Sequence, residues 1–513
     1  MSSPAVTIPQ RRSLLLFAIL AIVMVFISHV FILLLAAACV FVPWLAITSL
    51  PNFLTLSLFV GGIAVAVIML WSLIPRRDKF EAPGLLLEPA SHPRLFEEIE
   101  KIADSLQEPL PREVYLIGAP NAWVADRGGL MGFGSRRVMG LGWPLLAALN
   151  VSQFRAILAH EFAHYYGGDT SLGPWLHRTQ MTMIRTFQGL GSVGQMRLPY
   201  VVALLYMVVF GILKWYWQLF LRAINFISRR QEYRADELAC ILAGPQSLVS
   251  GLKLLPGIVL AWPAYWKNEV APLLEFGCLP AITAGFAEFL AVPDVAKHVQ
   301  AGCEAAIRDA KTHPYDSHPP LRDRVIAAEA LSIPSPPQDP SVAFGLLSNV
   351  DLEELRFLEE SNPQIPKNSL KRVSWEDQGI KVVVPSWGNA VKEHASLLQG
   401  ITAGNLFEAL GRVPQIAPQI RDPQGMLLTS EQRVMRARTL IGMALGFALV
   451  NNGWTLYSHP GEFHLDRGNE RLDPFRVVLH LSDGAISKEE WVAKCVELNI
   501  EGMPLVAEAN SGS

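Results

Sequence analysis

The sequence is poor in charge, in patterned cysteine and in any excess of one sign. Charged residues make up 17% of the chain against 51% hydrophobic, which is too apolar for an ordinary soluble enzyme and points to membrane segments. A formal net charge of −3 gives no reason to invoke nucleic acid as a partner. The five cysteines (Cys39, Cys240, Cys278, Cys303, Cys495) form no CxxC pair. An odd, scattered set argues against a disulfide framework and suits a reducing compartment. Internal repeats and low-complexity tracts are also lacking. At 513 residues the chain is too long for one ordinary core, so two or more domains are expected.

What the chain does have is apolar length. Arg11-Arg12 precedes a run over 13–42 that only Ser28 and His29 interrupt, and a second run over 53–74 ends before Arg76-Arg77-Asp78-Lys79. Each can cross a bilayer, which takes about 20 helical residues. The loop 43–52 holds no charge, so basic residues flank only the outer ends. By the positive-inside rule, residues 1–78 form a transmembrane helical hairpin with both ends cytoplasmic. A secretory signal would have a shorter apolar core and no second span directly behind it; a twin-arginine export signal at Arg11-Arg12 is the other alternative. A third apolar stretch, 198–227, is broken by Lys214-Trp215-Tyr216-Trp217, an interfacial signature in mid-run.

Between these runs, Ser91-His92-Pro93 predicts a helix start with serine as the cap, and Leu95, Phe96, Ile99, Ile102, Ala103 and Leu106 mark its apolar face. Residues 114–117 and 138–141 read as neighbouring strands around a glycine-rich turn. Ser152 is a candidate cap, and Gly167 a candidate stop, for the helix between them. The proline-rich segment 333–341 reads as a linker. Beyond it, 437–450 is an apolar helix too short to span, and 454–481 alternates like a hairpin.

That middle helix holds the chemistry. His160-Glu161-Phe162-Ala163-His164 places two imidazoles four residues apart on one face, where both can point at one ion, with Glu161 beside them to act on water at the metal. Such a pattern arises by chance on the order of once in a hundred chains like this one. The plain alternative is a surface helix with two ordinary histidines. The flanking apolar residues argue against that, since a buried histidine pair requires partners or a metal. A third zinc ligand must come from downstream. Glu232 and Asp236 are again four apart, so Glu232 can ligate while Asp236 accepts the free ring N–H of a histidine ligand. His318, held by His318-Pro319-Pro320, is an alternative third ligand or a transition-state contact, and Arg324 can reach a substrate carbonyl or carboxylate.

His160-Glu161-x-x-His164, the Ser-Arg-x-x-Glu-Tyr-x-Ala-Asp pattern over 228–236, and His318-Pro319-Pro320-Leu321-x-x-Arg324 together resemble the HtpX and CAAX prenyl protease family, over about 75–330. These are integral-membrane zinc endopeptidases of the gluzincin type. The resemblance implies one zinc ion per chain on His160, His164 and Glu232, with Glu161 as general base. It also implies substrate contacts from His318 and Arg324, and backbone pairing at Asn121-Ala122 on an edge strand. Ala163 departs from the glycine the family often has there.

The expected architecture is mainly α, of α+β type: the hairpin 1–78, a zincin-type metalloprotease domain 79–332 with a small edge-stranded sheet, the linker 333–341, and an α+β accessory region 342–513 that could bind a protein partner. The expected function is a multi-pass membrane zinc endopeptidase acting on peptide or membrane-protein substrates, in quality control or processing. Its catalytic domain would face the cytoplasm, at the cell membrane in a bacterium. An inactive zinc-binding scaffold and a prenyl-peptide processing enzyme are the competing readings. Because His164 and Glu232 must meet at one ion, 198–227 is expected to bend back or lie in the interface.

Overall fold

The computed structural model describes residues 15–74, 80–129, 134–166, 173–194, 199–309, 316, 318–420 and 428–506. The Arg11-Arg12 and 76–79 flanks, the Gly167 stop, the middle of the glycine-rich turn and most of 310–317 lie outside the described residues. The chain divides into two compact units, one of Met1–Leu260 with Val299–Pro363 and one of Ala261–His298 with Gln364–Ser513.

The first unit contains a membrane bundle. Helices α1 (Leu15–Ser49) and α2 (Phe53–Leu73) form the expected hairpin. α1 runs through Pro43 rather than ending before it. A proline inside a helix leaves the carbonyl four residues back without its N–H partner, here that of Cys39. Gly62 of α2 lies directly against that carbonyl, and a Cβ there would collide with it. The missing side chain lets α2 close over the weak point of α1, a small-residue contact typical of membrane helices. Asn52 caps α2 reciprocally with Thr55, which sets the turn.

The rest of the bundle departs from expectation. Residues 200–243 form one unbroken helix, α7 (Tyr200–Ala243, 44 residues), about 66 Å long at 1.5 Å per residue. Its Lys-Trp-Tyr-Trp cluster does not break it: Lys214 and Trp215 are exposed, while the other two rings pack. Tyr216 stacks on Phe31 at 4.1 Å, and Trp217 stacks on Phe220 at 5.6 Å. The chain turns back through a different element, α6 (Gly173–Gly194). α6 packs among α1, α2 and α7 through Met183 and Leu190. Its threonines and arginine mask it in an apolarity reading, yet the bundle satisfies them. The hydroxyls of Ser72 and Thr186 are 2.6 Å apart, and Arg185 donates to the Ser72 carbonyl (3.2 Å) and the Thr182 hydroxyl (2.9 Å). Among the described residues, five helices are long and apolar enough to cross a membrane: Ile22–Ser49, Phe53–Leu73, Tyr200–Ala243, Pro245–Glu275 and Ser430–Asn451.

The sheet of this unit has the order β1 (Leu85–Leu87), β2 (Glu113–Ile117), β4 (Arg136–Gly142), β3 (Ala122–Arg127). β2 and β4 are parallel, with Val114 opposite Met139; β3 is antiparallel to β4 and occupies the edge. α3 (Pro93–Leu106) buries Leu95, Ile99, Ile102, Ala103 and Leu106 as expected. Its cap position is held by His92 rather than Ser91, because His92 is buried and accepts from the Ser348 N–H (3.2 Å). α4 (Trp143–Ala148) leads into α5 (Val151–Ala163), which is capped by Asn150 in a reciprocal box with Gln153.

Ser152, expected as that cap, has its hydroxyl in use elsewhere: it accepts from the Asp339 N–H (2.7 Å). The segment expected as a free linker is thus pinned to the start of α5. The Val151 N–H donates to Ser341 O (2.8 Å), and the Ala343 N–H to Leu149 O (2.9 Å). Buried backbone must find partners, and here proline-rich chain finds them on the protease unit.

The second unit has its own core. Ser430–Asn451 buries Ala437, Leu440, Ile441, Ala444, Leu445 and Leu449, and a three-stranded antiparallel sheet, Thr455–His459, Glu462–Arg467 and Glu470–Leu472, lies in the same unit. The alternation expected to continue to 481 stops at Asp473, which caps the helix Pro474–Asp483.

The Gly62 contact is testable. Gly62→Val should destabilise the detergent-solubilised protein by about 1–3 kcal/mol, the usual cost of overpacking. Gly211→Ala, at a site with open space, should leave the thermal midpoint unchanged or raise it.

Candidate metal centre

The centre forms where the end of α5 meets the far end of α7. α5 is fixed by its core side, with Phe154, Leu158, Ala159 and Phe162 fully buried. On α3, Glu98 binds Arg155 of α5 through both carboxylate oxygens, one of them at 3.0 Å. This rigid seat places His160, buried, and Glu161 and His164, half-buried, over its last turn. α7 brings Glu232 and Asp236, both buried, to the same place.

One donor atom from each of His160, His164 and Glu232 lies within 4.8 Å of the others. The imidazole rings of His160 and His164 stand edge-to-face, 4.8 Å between centroids. The Nε2 atoms of both rings are 3.5 Å from the Glu232 carboxylate. The other ring nitrogen of His160, Nδ1, faces Asp236 Oδ1 at 3.0 Å. Asp236 is thus placed to orient that ring and fix its tautomer.

Arg324 sits elsewhere than expected. Its helix, Leu321–Glu329, turns the guanidinium inward, where Nε and Nη2 hold the two Asp236 oxygens at 2.8 and 2.7 Å. Nη1 lies 3.3 Å from Glu232. A planar fork fully engaged on a carboxylate is not available to a substrate, so the expected contact role does not match its position. A buried aspartate requires a compensating charge, and that requirement was the available signal for this pair. His318 places Nδ1 2.9 Å from Glu232 Oε1, and its side chain is 66% exposed. Asn121 is exposed and Ala122 buried at the start of the edge strand β3.

The environment tunes each group. Burial pushes the Glu161 carboxyl up to about 7, opposed by His160 and reinforced by Glu232. Burial also pulls His164 down to about 4, with His160 adding to the effect. For His160 burial acts the same way, but the hydrogen bonds it gives to Asp236 and Glu232 outweigh it and raise it to about 9. The Glu232 bond likewise raises His318.

The donor set fits a metal ion. Two imidazole nitrogens and a carboxylate are a common zinc donor set, and Glu232 Oε2 is buried with no hydrogen-bond partner of good geometry. Buried polar atoms are rarely left so.

Residues 89–332 match the model of Peptidase family M48. That segment is similar to the M48 peptidases. Relatives include a Protease HtpX homolog of Prosthecochloris aestuarii, 25% identical over 252 residues that cover 46% of this chain and 71% of that protein. A Protease HtpX homolog of Chlorobium phaeobacteroides strain BS1 is 24% identical over 258 residues, 47% of this chain and 70% of that protein. Protease HtpX of Idiomarina loihiensis is 26% identical over 172 residues, where the match spans 31% of this chain and 56% of the relative. With its apolar helices, the chain is a multi-pass membrane protein that carries a segment similar to the M48 and HtpX proteases.

The Arg324–Asp236 pair generates a prediction. Asp236→Ala leaves the buried guanidinium with only its Glu232 contact and should destabilise by about 3 kcal/mol, whereas Asp236→Ala with Arg324→Leu should recover part of that loss. Thermal unfolding of the three proteins in detergent measures both effects.

Proposed function

We propose that the protein is a membrane-anchored zinc endopeptidase in which His160, His164 and Glu232 hold the metal and Glu161 is the general base. The observation that carries this reading is the convergence of those three donors beside a half-buried carboxylate. A bound zinc ion would acidify water and polarise the scissile carbonyl.

The chain's own groups supply the rest. Glu161, with its carboxyl raised towards neutrality, is suited to take a proton from the attacking water and return it to the leaving amine. Asp236 steadies His160 through Nδ1, and Arg324 steadies Asp236; both are positioning residues. His318, exposed beside Glu232, is the candidate protein donor to the oxyanion. The free edge of β3 at Asn121 and Ala122 is the candidate pairing site for an extended substrate. The basic flanks of the first two apolar runs support a cytoplasmic site, and a site tied to a membrane bundle suits processing or quality control of membrane proteins.

Four measurements test this. The purified protein should digest casein, and a chelator should abolish the activity. Glu161→Gln should retain zinc and lose cleavage by at least about a hundredfold, the scale of general-base catalysis; wild-type rates in that variant would overturn the assignment. Arg324→Lys keeps the charge but loses the fork, so zinc affinity in a competition with a chelator should fall about 10–100-fold. On pH, activity requires ionised Glu161, so kcat/KM falls as pH drops through its pKa. A bound cation favours the carboxylate, which places that acid limb below about pH 7.

A further inference from the structure

Tyr165 immediately follows His164 and has no part in the chemistry above. Its backbone closes α5, with the N–H on Phe162 O at 2.9 Å. Its side chain is buried (7% exposed) and lies beneath Arg137 of β4, 4.1 Å from ring centre to guanidinium. The hydroxyl leaves the helix altogether and donates to the backbone carbonyl of Val124 on β3, at 2.9 Å.

The direction of that carbonyl follows from the sheet. In an antiparallel pair, successive residues turn their N–H and C=O alternately towards and away from the partner strand. Asn121, just before the strand, gives its N–H to Ala119 O at 2.8 Å, so the alternation is read from β4. The Arg137 carbonyl points away from β3, to Arg112 N at 2.8 Å beside β2, so Met139 and Leu141 turn the same way by alternation. Ala122 and Val124, opposite Leu141 and Met139, therefore present their backbone groups on the side of β3 that no described strand covers.

An extended peptide on that edge, whether parallel or antiparallel, would donate one N–H to Ala122 O and the N–H two residues along to Val124 O. The second acceptor is already taken. We infer that Tyr165 limits substrate pairing: by occupying the Val124 carbonyl it confines the peptide to the Ala122 end of the edge and makes the protein tolerant of segments that are extended over only a few residues. This rests on reading β3 as the substrate-pairing edge of a peptidase.

The test uses the full-length chain in nanodiscs and a dye-labelled peptide spanning a casein bond that the wild-type protein cleaves. Binding is measured by anisotropy in the Glu161→Gln background, with Tyr165 or with Tyr165→Phe, which keeps the ring beneath Arg137 and removes only the hydroxyl. Each backbone N–H of the peptide is methylated in turn. With Tyr165 present, methylation of the N–H facing Ala122 should weaken binding, and methylation two residues along should not. With Tyr165→Phe the parent peptide should bind about three- to tenfold tighter, the usual worth of one hydrogen bond, and the second methylation should become costly.

An identical methylation pattern in both proteins overturns the inference. So does a uniform loss of binding in Tyr165→Phe, which would make the tyrosine merely structural. If the wild-type protein cleaves no casein bond at all, the peptidase reading fails and this one with it. Cleavage with an unchanged pattern sinks only the role of Tyr165.

Discussion

The structure depends on one meeting: two histidines at the end of a short buried helix against a glutamate and an aspartate at the far end of a very long one. Neither helix makes the site alone. α5 is rigid because its core face is filled and its N-terminus is capped and strapped by the 339–343 segment. α7 is rigid because its first half is embedded in the bundle through Val209, Leu213, Tyr216, Phe220 and Ile224. Buried charges converge at the contact, and each is compensated. Arg324 closes on Asp236, Asp236 holds His160, and His318 reaches Glu232. Glu232 Oε2 makes no hydrogen bond of good geometry; it faces His160, while Oε1 faces His164.

This arrangement joins the membrane to the chemistry. α7 runs without interruption from a residue beside α2 to the carboxylates of the centre, so the bundle sets where Glu232 stands. Gly62 and the hydroxyls of Ser72, Thr182 and Thr186, remote from the site in sequence, fix the helices that α7 packs on.

Much of the site was legible in the sequence because spacing is local. His160 to His164 and Glu232 to Asp236 are each one helical turn, and a turn puts them on one face whatever the tertiary context. The strands at 114–117 and 138–141 and the apolar face of α3 were legible for the same reason. What was not legible depended on distant partners. α6 is too polar to announce itself as part of a membrane bundle, and only its neighbours show that its threonines and arginine are satisfied. The aromatic cluster at 215–217 looked like a break because such clusters do sit at interfaces, yet the helix runs through it, with Tyr216 and Trp217 stacked on Phe31 and Phe220 and Trp215 exposed. Ser91 and Ser152 have the right chemistry for helix caps and lost those positions to His92 and Asn150. Arg324 was expected to reach a substrate carbonyl or carboxylate; its commitment to Asp236 is a long-range pairing that no local pattern shows.

The central claim is that a single metal is held by His160, His164 and Glu232. X-ray absorption at the zinc edge on the purified full-length protein, compared with His164→Ala, Glu232→Gln and His318→Ala, tests it most directly. The account predicts one zinc per chain with two nitrogen and carboxylate oxygen neighbours at bonding distance, and loss of that signal in both variants. A zinc shell that survives unchanged when Glu232 is replaced, or that is lost only when His318 is replaced, would contradict it.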